Sequence, residues 1–190
     1  MRSHLLASLA LVACCAAVPA GATTMRHLDT PALVTGSSDI AVGVVRSVGA
    51  HWNARHTKIV TDVVFDVTDS FKGEAHQLTL TQLGGEVDGV RVSVPGGPLF
   101  RRGEEALLFV WRDAAGRAQV NGLAQGKFDI TRDPATGERL VQRAAPGFAV
   151  TDARSLAPLP AGSAAPRLTL DQMVREVRAV LRNADPASDR

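Results

Sequence analysis

The chain has 190 residues, 45% of them hydrophobic, which is enough to build one domain around its own core. Its 21 lysines and arginines stand against 19 acidic residues, leaving a formal charge of +2. Nucleic-acid binders cluster a larger positive excess on one face, so this balance argues against nucleic acid as a partner.

Residues 1–22 are predicted to be a secretory signal peptide. Arg2 supplies a positive charge, residues 5–18 form an apolar stretch, and Ala20-Gly21-Ala22 offers small residues for cleavage before Thr23. The stretch is too short to span a membrane, and no later segment is predicted to span one. We therefore expect an exported protein, either periplasmic or secreted.

The two cysteines, Cys14 and Cys15, both lie within the predicted signal. Cleavage after Ala22 would leave a mature chain without thiols, so the core alone would hold the fold. Residues 11–14 also match the pattern that precedes a lipid-modified cysteine. A structural envelope lipoprotein anchored through Cys14 is therefore the alternative hypothesis.

A short helix is predicted within residues 28–36, with Asp29 or Thr30 as its N-cap and Pro31 in its first turn. From residue 39 the apolar residues alternate, which indicates a strand. Gly43 inside it suggests a bend or a close approach of two backbones, as barrels require. The residues expected to share one face of this strand are Ile40, Val42, Val44 and Val48.

The chain continues with a series of short segments that alternate in the same way and end at glycine or proline turns. The predicted strands are 57–68, 77–81, 90–94, 106–111, 119–123, 127–130 and 139–141. The fourth of these is apolar on both faces and is therefore expected to be central. The last two should form a hairpin across the turn at residues 133–137, where Gly137 takes the left-handed position.

The C-terminal part is predicted to contain an arm, a helix and a tail. Residues 144–168 carry four prolines and read as an arm laid over the domain. Thr169 and Gln172 form a capping box, which opens an amphipathic helix at 169–184 that packs on the barrel. Residues 185–190 are expected to be a disordered tail.

Together these elements predict an all-β fold. Our choice is a small, partly open barrel of the oligonucleotide/oligosaccharide-binding kind, with about seven short strands over residues 23–143 and a helix near either end. A β-sandwich is the second choice.

Three glycine-containing motifs follow one another between residues 95 and 128. They are Gly97-Pro98-x-Phe100, Gly103-Glu104-x-x-Leu107-Leu108-Phe109 and Gly122-x-x-Gln125-Gly126-Lys127-Phe128. In this order they resemble a family of exported bacterial proteins of unknown function. That family also tends to have a strand like Ile40-Ala41-Val42-Gly43-Val44 after a short helix, and a Lys-Gly pair like Lys72-Gly73.

This resemblance implies a location but no activity. Some members of the family lie beside matrixin-like zinc metalloproteases, which makes a metalloprotease one candidate partner. The tissue inhibitors of metalloproteases use a barrel of this type, but they chelate zinc through an N-terminal cysteine. A chain that begins at Thr23 lacks that cysteine, which argues against an inhibitor of this mechanism.

No cofactor, metal site or catalytic constellation is predicted. His51 and His56 are five residues apart, which suits neither a helical pair nor one face of a strand. No serine lies in a Gly-x-Ser-x-Gly elbow. A hydrolase that uses paired carboxylates, such as Glu104 with Glu105, stays open as an alternative because spacing alone does not show a cleft.

The segment 96–104 is the predicted binding surface. It is a Gly/Pro loop that carries two apolar residues, Leu99 and Phe100, followed by two guanidinium groups, Arg101 and Arg102. The competing interpretation is that both apolar side chains pack under the barrel while the arginines are merely solvated.

Lys127 is included among the candidate binding residues, although we expect it at the surface rather than on a ligand. With no catalytic constellation, the hypothesis from the sequence is a non-catalytic protein-binding module. Its expected partner is another exported protein.

Overall fold

The computed structural model describes residues 25–143, 150–151 and 168–184. The predicted signal peptide with Cys14, the predicted tail and nearly all of the predicted arm therefore lie outside the described residues.

The described residues form twelve strands, of which β2 and β3 are 14 residues long, with a helix near each end. The strands are β1 (Met25–Arg26), β2 (Asp39–Trp52), β3 (Ile59–Lys72), β4 (Gln77–Leu83), β5 (Gly85–Val87), β6 (Val90–Val92), β7 (Glu105–Arg112), β8 (Ala118–Val120), β9 (Lys127–Arg132), β10 (Arg139–Arg143), β11 (Val150–Thr151) and β12 (Leu168–Thr169). The helices are α1 (Thr30–Thr35) and α2 (Leu170–Ala184), and Leu123–Gly126 forms a turn of 3₁₀ helix.

Five of these strands close into a barrel in the order β2-β3-β4-β8-β7 and back to β2. All neighbours are antiparallel except β4 and β8, which run parallel and meet at the single residue pair Leu80 and Ala118. β9, β10 and β12 extend the sheet outward from β7. The predicted all-β, barrel-like fold with a short N-terminal and a C-terminal helix is confirmed.

Strand β7 separates two apolar cores, which explains why its sequence is apolar on both faces. Ala106, Leu108 and Val110 belong to the core inside the barrel. Leu107 and Phe109 point the other way, into a second core outside the barrel. The prediction of a central strand is therefore confirmed.

The outer core is covered by the two helices. The residues of α1 and α2 that are buried in it are Leu33, Val34, Leu170, Met173 and Val177. Full burial of each such side chain is worth roughly 1.5–3 kcal/mol, so the apolar stripe of α2 is held on the barrel, as its periodicity predicts.

The local signals at both helix starts also agree with the sequence. Asp29 is the N-cap of α1 and accepts a hydrogen bond from the Ala32 backbone N–H at 2.9 Å. At the start of α2, Thr169 Oγ1 accepts from the Gln172 N–H at 3.2 Å, while Gln172 Oε1 accepts from the Thr169 N–H at 2.9 Å. This is the reciprocal capping box.

The predicted alternation of β2 is wrong in its second half. Val44 and Val48 were expected with the core residues, yet they are 36% and 40% exposed. Val44 keeps the face of Ile40 and Val42, because β2 pairs with β7 without interruption from Asp39 to Val44, but it lies beyond the outer core. Arg46 is an extra residue relative to β3, and this bulge turns Val48 to the inner face of the barrel.

Two predicted strand ends also differ from the structure. The segment predicted at 119–123 is a strand only to Val120, because Leu123 begins the 3₁₀ turn. The predicted strand 90–94 ends at Val92 and belongs to a separate two-stranded hairpin, β5–β6, rather than to the barrel.

Candidate functional site

One end of the barrel, called here the mouth, is formed by the inner face of β2, β3 and β4. In β3, Thr61 pairs with Gln82 of β4. Val63, two residues further along β3, pairs with Leu80 of β4 and with Val48 of β2. Because directly paired residues share a face and alternate residues repeat it, all five side chains lie on the inner face. Val63 and Leu80 are in the core, whereas Val48, Thr61 and Gln82 line the opening.

The β5–β6 hairpin lies against this opening. Gly85 has φ +135°, and a Cβ atom there would come within 2.6 Å of Thr61 Oγ1 and 2.7 Å of Ala50 Cβ. Only glycine therefore allows the hairpin backbone to approach the inner face so closely.

The segment Ser93–Gly103, called here the mouth loop, crosses the same end and is attached at several points. The Ala124 N–H donates to Gly96 O at 3.0 Å, which ties the loop to the 3₁₀ turn. At the other end, the Gly103 N–H donates to Val45 O at 2.8 Å. These contacts fix the loop on a rigid scaffold.

The structure separates the two apolar residues of the mouth loop. Phe100 packs against the core inside the barrel and closes it from this end. Leu99 is 80% exposed. The interpretation that both pack beneath the barrel is therefore wrong for Leu99, whose neighbour already fills the available space.

The two arginines of the loop are exposed. Neither Arg101 nor Arg102 forms a salt bridge or a side-chain hydrogen bond with any residue in the described part of the chain. Their guanidinium groups remain available to an anionic partner.

The expectation that Lys127 lies at the surface is wrong. It begins β9, is only 2% exposed, and its Nζ lies 3.1 Å from Glu104 Oε1 and against a carboxylate oxygen of Asp129. The ring of Phe100 lies 5.2 Å from the same ammonium group. Periodicity could not reveal this burial, since the mouth loop that covers Lys127 is distant in sequence.

All three resemblance motifs meet in these tertiary contacts, since Phe100 of the first motif lies against Lys127 of the third. Glu104 of the second motif pairs with Lys127 of the third. Gln125, 1% exposed, accepts a hydrogen bond from the Leu28 N–H at 2.8 Å and donates to Arg26 O at 3.0 Å. These residues hold the mouth loop and the segment before α1 in place.

The mouth holds a groove of about 320 Å³ between β4, the β5–β6 hairpin and the mouth loop. Four of the exposed apolar residues line it: Val48, Leu83, Val92 and Leu99. A second depression, of about 490 Å³, lies beside it and is lined by charged residues that include Arg101, Glu104, Lys127 and Asp129. Leu99 lines both, so it stands on the ridge between them.

Gln82 is the functional candidate that the sequence analysis missed. It is 9% exposed, and its Nε2 has no hydrogen-bond partner. The signal was present, since Leu78, Leu80 and Gln82 continue one alternation and place a polar amide at a core-facing position. A buried polar group without a partner is uncommon in folded proteins and calls for an explanation.

The other candidates of the sequence analysis are engaged in local contacts. His56 stacks on Trp52 with ring centroids 5.9 Å apart, and His51 Nε2 lies 3.8 Å from Asp62. Glu105 pairs with Arg139 at 3.2 Å, away from the depression that Glu104 lines.

Within residues 25–143, 150–151 and 168–184, no group of three histidine, cysteine or acidic side chains could hold a metal ion. No helix in the described part of the chain is long and apolar enough to cross a membrane. Searches against protein-family models, curated proteins and solved structures found no match to this chain.

Proposed function

We propose that this protein is an exported, non-catalytic binding module and that another exported protein is its partner. The mouth loop and the groove beside it would form the contact surface. The observation that carries the proposal is Leu99, a large apolar side chain that is 80% exposed on a loop attached at both ends.

A rigid apolar side chain is a favourable anchor for a partner. Its burial removes apolar surface from water, and the attached loop loses little conformational freedom on binding. Val48, Leu83 and Val92 widen the apolar area around the groove. Arg101 lines the adjoining depression, and Arg102 follows it in the same exposed loop. An apolar centre with charged residues beside it is the common arrangement of a binding surface.

Export rests on the signal pattern in residues 1–22, with the lipid-anchored form through Cys14 as its alternative. The two differ in location but leave the same binding surface. Replacement of Cys14 by alanine separates them, because loss of membrane association would support the anchor and unchanged release would contradict it.

The binding function is tested with the chain from residue 23 onward as immobilised bait in the host's envelope extract and culture fluid. We expect one protein to be retained in stoichiometric amount, with a metalloprotease the partner that the family resemblance suggests. Leu99→Ser, and separately Arg101→Ala with Arg102→Ala, should lower retention about tenfold, which corresponds to roughly 1.4 kcal/mol.

Matched controls come from exposed residues that line neither depression of the mouth. Arg175→Ala with Arg182→Ala removes two solvated guanidinium groups from α2, and Val44→Thr removes an exposed apolar surface from the outer face of β2. These variants should retain the partner as the unaltered chain does, with the melting temperature nearly unchanged throughout. Equal retention by the loop variants and the controls, or a bait that is folded and retains nothing, would contradict the proposal.

A further inference from the structure

The amide group of Gln82 is a feature of the mouth that the fold itself does not explain. Its neighbours on the inner face of β4, Leu78 and Leu80, are core residues, yet Gln82 presents a buried donor with no partner. An unsatisfied donor is costly in the free protein. Nε2 itself is closed off from solvent, so a ligand's acceptor would remove that cost once the Gln82 side chain, which lines the groove, rotates toward it.

The shape of the mouth fits an elongated occupant. Val94, Gly97 and Leu99 line both the groove and the charged depression, so the two adjoin along the mouth loop. The β5–β6 hairpin pairs with no third strand among the described residues, which leaves strand edges at the groove for an extended backbone. An extended peptide matches these features better than a compact small molecule does.

The charged residues beside the groove indicate which charge the bound peptide should carry. Lys127 already faces two carboxylates, Glu104 and Asp129, whereas Arg101 and Arg102 face none in the described part of the chain. The unmatched charge at this end is therefore positive, and an acidic side chain of the peptide would complement it.

We propose that the barrel mouth binds an extended, acidic peptide segment of the partner, with one apolar side chain in the groove and a backbone carbonyl that accepts a hydrogen bond from Gln82 Nε2. This inference rests on the proposed function and adds the chemical class of the bound segment.

The test uses the ¹⁵N-labelled chain from residue 23 onward and the N-acetylated, C-amidated peptide Gly-Leu-Glu-Gly as probe. Nuclear magnetic resonance follows the side-chain amide signals of Gln82 during the titration. We expect a saturable shift at Gln82 and at the backbone of Val48 and Val92. Alanine in place of the peptide's leucine, or lysine in place of its glutamate, should weaken binding several-fold.

Two variants on the same strand make the test specific. Gln82→Met keeps the length of the side chain and removes the donor, so it should weaken peptide binding by about tenfold. Gln77→Met changes an exposed glutamine that donates to Asp66, and it should bind as the unaltered chain does. Gln82→Met should also be at least as stable as the unaltered chain, because it removes an unpaired buried donor.

The inference is overturned if no Gln82 signal moves up to millimolar peptide, if Gln82→Met binds as tightly as Gln77→Met, or if Gln82→Met lowers the melting temperature. Its failure differs from failure of the proposed function. If capture of the partner depends on Leu99 but not on Gln82, the mouth loop remains the binding surface, and peptide binding at Gln82 is excluded. Should capture depend on neither, the proposed function itself falls.

Discussion

Lys127 Nζ lies 3.1 Å from Glu104 Oε1 and joins the first residue of β9 to the end of the mouth loop. The two atoms are within ion-pair distance, although Glu104 Oε1 lacks hydrogen-bond alignment. Asp129 lies against the same ammonium group and is half exposed. This contact, with the ring of Phe100 beside it, holds the loop that carries Leu99.

Replacing Lys127 with methionine should destabilise the protein by about 1–3 kcal/mol, since it leaves the partly buried carboxylate of Glu104 without its cation. Urea unfolding measures the change. Lys58→Met removes an exposed lysine and should shift the unfolding free energy by less than about 0.5 kcal/mol. Equal stability of the two variants would show that the Lys127 pair contributes nothing to the fold.

Gly43 lies where the backbones of β2 and β3 come close together. A Cβ atom there would lie 2.1 Å from the Asp66 carbonyl oxygen and 2.8 Å from the Phe65 ring. Gly43→Ala should therefore cost about 1–3 kcal/mol through overpacking. Gly49→Ala, in the same strand with nothing within 4 Å of its Cβ, should be neutral or stabilising by about 0.5 kcal/mol. Similar thermal unfolding of the two variants would contradict the close approach.

The capping box sets the start of α2. Thr169→Ala removes the acceptor for the Gln172 N–H and should lower stability by about 1 kcal/mol, whereas Thr169→Ser keeps the hydroxyl and most of that stability. Circular dichroism during thermal unfolding measures both. If the serine variant loses as much as the alanine variant, the hydroxyl is not the stabilising group.

Asp113 provides a test of pH dependence in the turn between β7 and β8. A side-chain hydrogen bond from Arg117 at 2.8 Å, with backbone donors from Arg117 and Ala115, lowers the pKa of its carboxyl below the ordinary 3.8. Its contribution to stability is thus complete above that ordinary value and is lost as pH falls through the lowered one. Titration of the carboxyl carbon by nuclear magnetic resonance should show the pKa rising in Arg117→Ala. An unchanged value would remove Arg117 as the cause.

Much of the fold was predictable because local signals agree with tertiary packing. The alternation in β3, the apolar run of β7 and the turn ending at Gly137 each belong to one short segment, and each has the predicted structure. Prediction failed in the second half of β2, where Val44 lies beyond the outer core and a bulge at Arg46 turns Val48 to the other face. Register shifts against a neighbouring strand leave no mark in the alternation of a single strand.

The candidate site was only partly predictable. The mouth loop could be identified from its Gly/Pro composition and its arginines, and the structure leaves both arginines exposed. Leu99 is exposed while Phe100 packs inside the barrel, and Lys127 is buried. Both outcomes depend on contacts between segments that are far apart in the chain. Gln82 could have been found by following the alternation of β4 one step further.

By itself, the sequence determined strands β2, β3, β4, β7, β9 and β10, the helix caps, the apolar stripe of α2 and the position of a conformationally special glycine at residue 43. These features follow from the periodicity of apolar side chains and from the conformational preferences of the backbone, both of which act over a few residues. Tertiary structure alone decided that the barrel closes through one parallel pair, that a hairpin and a loop meet at its mouth, and that a buried amide and a buried ammonium lie on either side of Leu99. Such features arise from long-range packing, in which the environment of a side chain is set by segments that its own neighbourhood does not specify.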